Sequence, residues 1–358
     1  GFADICESCN ITFIGPGSEV IAKAGNKIEA RKIMKDAGIP VIPGCDMIES
    51  VEQANKAADI IGYPVMLKAK AGGGGRGIRI VKSPDELKRE YNIAHSEAEA
   101  AFGDASMYLE KYLHPVKHIE TQILSDKHGN TVCLGERECS LQRKNQKLME
   151  ETPSPAMTPD MQKELIDLSL KAARAIGYTN AGTIEFLLDQ DGNFYFMEMN
   201  TRLQVEHPIT EMVTGIDIVK WQIRIASGMR LAFGQKDISL NGHAIECRIN
   251  AECVRDNFIP RSGTVELLHI PGGPWVRFDT AIYQDYFVPP FYDSLIGKLI
   301  VHAKTREEAI RKMKASLCEL VIEGIEHNSL FQAELLEEEA VINGTYHTDF
   351  VSQRGMNI

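Results

Sequence analysis

Glu198-Met199-Asn200-Thr201-Arg202-Leu203-Gln204-Val205-Glu206-His207-Pro208 is the stretch on which the fold turns. In an extended chain alternate side chains share a face. Glu198, Asn200, Arg202, Gln204 and Glu206 are therefore expected to project together, although a solvated face on a half-exposed strand would also produce this alternation. Just upstream, strands at 182–188 and 193–198 flank the turn Asp189-Gln190-Asp191-Gly192 and read as a hairpin. That hairpin brings Glu185 beside Glu198 and Asn200. Carboxylate and amide oxygens are the ligands Mg²⁺ prefers, with its other positions kept for water and substrate phosphates. Arg202 and Gln204 then make a small anion site, and Glu206 beside them is placed to act as a base.

Further upstream, a strand at 63–68 enters Gly72-Gly73-Gly74-Gly75-Arg76-Gly77, and a second strand follows at 78–81. Glycine permits close backbone approach, so such a loop can close its N–H groups on phosphate oxygens as a mobile flap. It is not a Walker A loop, because no Gly-Lys-Ser/Thr follows. Nor is it a dinucleotide fingerprint, because a strand rather than a helix comes next. Lys68, ending the first strand, can direct a point charge at the same phosphates; Lys27 and Lys111 are further candidate cations. Cys139-Ser140-Leu141-Gln142-Arg143-Lys144-Asn145-Gln146-Lys147 concentrates cations and amides, either as a solvated strand end or as countercharge for phosphate or bicarbonate. His118 and His207 suit hydrogen-bonded structural roles better than catalytic ones.

The remaining sequence is consistent with an α+β protein of 358 residues, enough for two or three packed units. The formal net charge of −11 disfavours nucleic acid and anionic lipid as partners, so any bound anion must be held by local positive charge. No apolar run reaches the length of a membrane span. The eight cysteines are scattered, and the Cys6/Cys9 pair lacks a second pair to complete a zinc site, so free thiols in a reducing cytoplasm are expected. Residues 18–37 are expected to form one helix ending at Gly38. Ile11-Thr12-Phe13-Ile14 is expected to be a buried strand, the end of an α/β unit, and the opening Gly1 suggests a trimmed chain.

With Lys68-Ala69-Lys70-Ala71-Gly72-Gly73-Gly74-Gly75-Arg76-Gly77 and Glu246-Cys247-Arg248-Ile249-Asn250-Ala251-Glu252, these motifs resemble the biotin carboxylase component of acetyl-CoA carboxylase and related biotin-dependent carboxylases, members of the ATP-grasp superfamily. The resemblance runs from Phe13 to about Phe350. A glutamate-x-asparagine strand is shared across ATP-grasp enzymes, whereas the continuation Thr201 to Pro208 is particular to biotin carboxylases. The resemblance implies an ATP-grasp domain at 25–241 with a glycine-rich lid at about 41–112, preceded by a remnant of an α/β domain at 1–24. A biotin carboxylase C-terminal domain at 242–358 completes the expected organisation.

Site roles follow from the same resemblance. Lys27, Lys68, Gly74, Gly75, Glu110, Lys111, Tyr112, Leu113, His118, Gln142 and Asn145 are implied to hold ATP. Glu185, Glu198 and Asn200 are implied to bind Mg²⁺ or Mn²⁺. Lys147, Arg202, Gln204 and the Val205 N–H are implied to hold bicarbonate, with Glu206 as its base and Arg248 stabilising charge on biotin. Asn145 stands where many relatives carry histidine, so a contact there would be neutral. The implied reaction is that of an ATP-dependent ligase forming a C–N bond: carboxylation of biotin through carboxyphosphate, a step that in acetyl-CoA carboxylase serves fatty acid biosynthesis. The sequence has no Ala-Met-Lys-Met biotin-attachment motif, so a biotin carboxyl carrier protein and carboxyltransferase subunits are implied partners, in the cytoplasm, often with homodimerisation. Another ATP-grasp ligase, or a chain that binds nucleotide without turnover, are the competing readings.

Overall fold

In the computed structural model, residues 1–69, 78–103 and 105–354 are described, apart from the side chains of Asp46 and Phe102. The glycine run, with Gly74 and Gly75, lies outside them. Four strands, β1 (Gly44–Ile48), β2 (Val65–Ala69), β3 (Ile78–Val81) and β4 (Met107–Lys111), form an antiparallel sheet in the order β1-β4-β2-β3. Helices Val51–Ile61 and Pro84–Phe102 supply the rest of its core, around Ala54, Ala58, Leu87 and Tyr91. Along β2 the period of two buries Val65, Leu67 and Ala69 and turns Met66 and Lys68 to the opposite face. Lys68 is directed out of this small unit for that reason.

The main body is one antiparallel sheet of eight strands. It contains β5 (Lys117–Ser125), β6 (Thr131–Arg143), β7 (Gln146–Thr152), β8 (Asn180–Leu188), β9 (Phe194–Asn200) and β10 (His243–Asn250), together with Val276–Thr280 and Leu295–Ala303. From one edge the order is Val276–Thr280, Leu295–Ala303, β10, β7, β6, β5, β8, β9. The pairing of β10 with β7 carries the sheet across the expected boundary at 242, so the two halves share one ladder. Both faces are covered, and β5 is buried along its whole length. Its odd positions face helix Pro159–Ile176, through Ile119, Ile123 and a 2.8 Å hydrogen bond between Thr121 and Ser169. Its even positions His118, Glu120 and Gln122 are thereby left on the other face, which carries the polar groups. Helix His207–Thr214 covers part of that face, with Ile209 and Val213 packed on Ala244 and Ile300.

Three expectations need correction. Residues 18–37 form two helices, Ser18–Gly25 and Lys27–Asp36, because Asn26 leaves helical geometry and caps the second helix by accepting from the Glu29 N–H. Ile11 to Ile14 is not a strand: Ile11 and Ile14 are exposed, no ladder partner is present among the described residues, and Phe13 packs edge-on against Phe2. The extended run expected through Glu206 ends at Asn200; residues 201–205 turn, and Glu206 is the N-cap residue of helix His207–Thr214. Among the described residues no helix is long and apolar enough to cross a membrane. None of the eight cysteines is in a disulfide.

Candidate active site

Antiparallel register explains how the first group of side chains meets. Glu185 on β8 lies directly opposite Glu198 on β9, and Asn200 opposite Thr183. Like charges facing each other across strands repel. Glu198 is half-exposed, and Lys27 lies 3.8 Å from its carboxylate. Glu185 is buried, 3.2 Å from His118 and 3.3 Å from Lys147, and accepts from Asn200 at 2.9 Å and Gln204 at 3.0 Å. Burial pushes its carboxyl up, but His118 and Lys147 outweigh that and hold it at about 2. Two opposed ionised carboxylates beside an amide oxygen fit a hard divalent cation, which would remove the repulsion.

The second group converges on Glu206, which is almost wholly buried. Lys147 donates to its Oε1 at 2.6 Å, and Arg248 donates to its Oε2 at 2.9 Å. Burial alone would raise this carboxyl, yet the Lys147, Arg248 and Arg137 cations hold it well below the usual carboxylate range. Arg202 donates to Gln204 Oε1 at 2.6 Å, and Lys298 donates to the Val205 carbonyl at 2.9 Å. The 201–206 turn therefore delivers the residues that a straight strand was expected to align.

Behind these lie residues that the sequence reading did not single out. Arg137 is fully buried and donates to Glu120 at 2.6 Å, Gln122 at 2.9 Å, Thr210 at 3.0 Å and Thr183 at 3.2 Å. Glu120 also accepts from Lys147 at 2.6 Å, so both its oxygens are occupied by cations and it serves as countercharge rather than ligand. Glu150 accepts from Arg248 at 2.7 Å. The available signal was polar residues at alternate positions in strands too apolar for the surface, such as His118, Glu120 and Gln122.

The candidate nucleotide residues are more dispersed. Lys68 pairs with Glu110, which also accepts from Arg31 at 2.8 Å, tying the small sheet to helix Lys27–Asp36. Lys111 turns its ammonium away to the carbonyls of Gly62 and Tyr63, at 2.9 and 3.0 Å. Tyr112 stacks on His114, and Leu113 is half-buried in the connection to β5. Gln142 is buried near the end of β6, and Asn145 sits in the β6–β7 turn at φ +64°, a conformation asparagine tolerates. His207 Nδ1 lies 2.8 Å from the Gln204 carbonyl oxygen.

This four-stranded sheet, carboxylate hairpin and buried cation cluster define an ATP-grasp enzyme. Residues 26–233 match the family described as the ATP-binding domain of the carbamoyl-phosphate synthase L chain, and residues 246–353 match the biotin carboxylase C-terminal domain. The sequence is 51% identical to biotin carboxylase 1 of Bacillus subtilis over 98% of this chain and 78% of that protein. It is 51% identical to a pyruvate carboxylase subunit of Methanothermobacter thermautotrophicus, over 97% of this chain and 71% of that protein. The biotin carboxylase domain of Hydrogenobacter thermophilus 2-oxoglutarate carboxylase, a dimer solved with MgADP, ADP and bicarbonate, superposes with a TM-score of 0.93 at 49% identity, covering 99% of this chain and 78% of that one. The chain belongs to the biotin carboxylase family.

Proposed function

We propose that the chain carboxylates biotin with bicarbonate at the expense of ATP, and that its catalytic centre is Glu206 with Lys147, Arg202, Gln204 and Arg248. The observation that carries this reading is Glu206 itself, a buried carboxylate gripped by one cation from β7 and another from β10. Such a carboxylate is a weak base while both donors are engaged. Bicarbonate entering beside Lys147, Arg202, Gln204 and the Val205 N–H competes for those donors, and Glu206 becomes more basic as its substrate arrives. Glu206 then takes the hydroxyl proton while a bicarbonate oxygen attacks the γ-phosphorus and ADP departs, giving carboxyphosphate. Carboxyphosphate breaks to CO₂ and phosphate; phosphate removes the ureido N–H proton, and the nitrogen captures CO₂.

Glu185, Glu198 and Asn200 are the residues to hold Mg²⁺, or Mn²⁺, whose contribution is neutralisation of phosphoryl charge. Lys27 and Lys68 are proposed to supply further positive charge to the nucleotide phosphates, with Glu110 to Leu113, His118, Gln142 and Asn145 as further nucleotide contacts. In-line positioning and electrostatic stabilisation are the protein's main contribution to phosphoryl transfer. Arg248 is freed to meet the developing charge on biotin as Glu206 is protonated. The biotin is carried by a separate carrier domain, and the carboxyl group passes to a carboxyltransferase. Homodimerisation is proposed by likeness to the Hydrogenobacter domain. Relatives named for biotin and for pyruvate carboxylation match equally well, consistent with an acceptor chosen by the carboxyltransferase.

The test is ADP release measured with bicarbonate and free biotin varied independently. Release that requires bicarbonate and rises with biotin is expected; release indifferent to both would leave only nucleotide hydrolysis or another ligase.

A further inference from the structure

Glu246 lies on β10 with no solvent exposure, and neither of its carboxylate oxygens has a hydrogen-bond partner. Its register partner on β7 is Glu150, also buried, whose Oε2 is likewise unpartnered. On the other side its partner is Ile300, and helix His207–Thr214 covers this part of the sheet with apolar Ile209 and Val213. The charged groups that act on the pair are few. Arg248, two residues along β10, spends its guanidinium on Glu150 at 2.6 Å and Glu206 at 2.9 Å. Lys298 donates to the Val205 carbonyl at 2.9 Å and pairs with Asp279 at 3.5 Å. Lys147 is bound to Glu120 and Glu206 at 2.6 Å each. No donor among the described residues reaches Glu246.

Arg248 answers one oxygen of Glu150 and nothing among the described residues answers Glu246, so two ionised carboxylates facing each other in this dry site would leave desolvation and mutual repulsion largely uncompensated. A single proton relieves both penalties, and the acid form of one can then donate to its register partner. We propose that Glu150 and Glu246 share one proton and act as positioning residues for Arg248. Burial, followed by the neighbouring Glu150 charge, pushes the Glu246 carboxyl well above the usual range. Burial likewise raises Glu150 to about 7, against the opposing pull of Arg248.

The functional consequence rests on the biotin carboxylation reading. Arg248 must balance Glu206 and still present positive charge to the ureido group. If both Glu150 and Glu246 were ionised, three carboxylates would surround one guanidinium and hold it back. With one proton on the pair, Glu150 holds Arg248 through Nε and Nη2, and the guanidinium charge is opposed by one carboxylate fewer. The pair therefore acts as a pH-dependent brake on Arg248: losing its proton as pH rises pulls the guanidinium away from biotin.

The test uses the full chain and two independent readouts. Infrared spectra at neutral pH should contain a protonated-carboxyl band that Glu246→Gln removes and that the parent loses on alkaline titration. Glu150→Gln, which takes away the like charge, should move that titration to lower pH. In parallel, the alkaline limb of the pH profile for biotin-stimulated ADP release should lie at higher pH in Glu246→Gln than in the parent by about one unit, a tenfold change in proton activity. A purely structural Glu246 would lower the melting temperature in the variant and leave the limb where it was. An unchanged infrared band in both variants, or an unmoved limb, overturns the proposal. Should Glu246→Gln fail to fold, the parent and Glu150→Gln infrared titrations decide it: coincident curves overturn it. Absence of biotin-stimulated release in the parent would refute the carboxylation reading alone, because the infrared result does not depend on turnover.

Discussion

Arg248 on β10 and Glu206 at the head of helix His207–Thr214 meet at 2.9 Å although they belong to halves of the chain matched by different families. The continuous ladder from β7 into β10 makes the contact possible. Neither half contains the site by itself. The same guanidinium balances Glu150, so it connects Glu206 to the buried carboxylate behind it.

Removing that guanidinium should be costly. Arg248→Met leaves Glu206 and Glu150 buried without a shared cation, and breaking a buried pair from one side costs about 3–5 kcal/mol. Urea denaturation should show a loss of that size together with abolished biotin stimulation. A variant as stable as the parent would mean that the carboxylates are protonated or hydrated in the folded protein.

Glu206→Gln keeps the hydrogen-bonding shape but cannot accept the bicarbonate proton. Loss of a general base costs about 10²–10⁴-fold in rate, so bicarbonate-dependent ADP release should fall by that factor while nucleotide affinity is retained. Undiminished release would remove Glu206 from the base role.

Glu198 is half-exposed, with Lys27 at 3.8 Å and a long hydrogen bond from Asn200 at 3.5 Å, so its charge contributes little to folding. Glu198→Gln should change stability by no more than about 0.5 kcal/mol and yet raise the Mg²⁺ concentration needed for half-maximal ADP release. Superimposable magnesium titrations would show that the Glu185–Glu198 pair is only a strand face.

Acid should destabilise the protein through Glu151. Burial pushes this carboxyl up, but His243 at 2.6 Å and Arg306 at 2.7 Å hold it at about 2, below its ordinary 4.5. Its folded value is lowered, so the stabilisation is complete above pH 4.5 and is lost as pH falls towards 2. Over that window the loss is on the order of 3 kcal/mol. Glu151→Gln should flatten this part of the stability profile, and an equally steep acid limb in the variant would exclude the assignment.

Much of this was legible from local pattern. The hairpin that opposes Glu185 and Glu198 follows from alternation and a turn signal, and β2 directs Lys68 outward by the same period of two. What was not legible depended on long-range pairing. Arg137 and Glu120 are separated by 17 residues and joined by the β5–β6 ladder, and Glu150 is brought to Glu246 from 96 residues away. A single sequence carries no mark of which strands become neighbours, so buried polar residues look like solvated ones until the sheet order is known. The turn at 201–205 was missed because its polar alternation mimics a strand, although Pro208 in the first helical turn signalled a helix start nearby. Ile11 to Ile14 has strand composition but no strand beside it among the described residues, and composition alone does not make a ladder.

The most direct measurement follows carbon. Purified chain, Mg²⁺-ATP, free biotin and isotopically labelled bicarbonate are incubated and the acid-labile label on biotin is counted. Labelled carboxybiotin should form in the parent in step with ADP release and be absent in Glu206→Gln. Bicarbonate-dependent ADP release with no label on biotin, or equal labelling in the variant, would contradict a centre built on Glu206, Lys147 and Arg248.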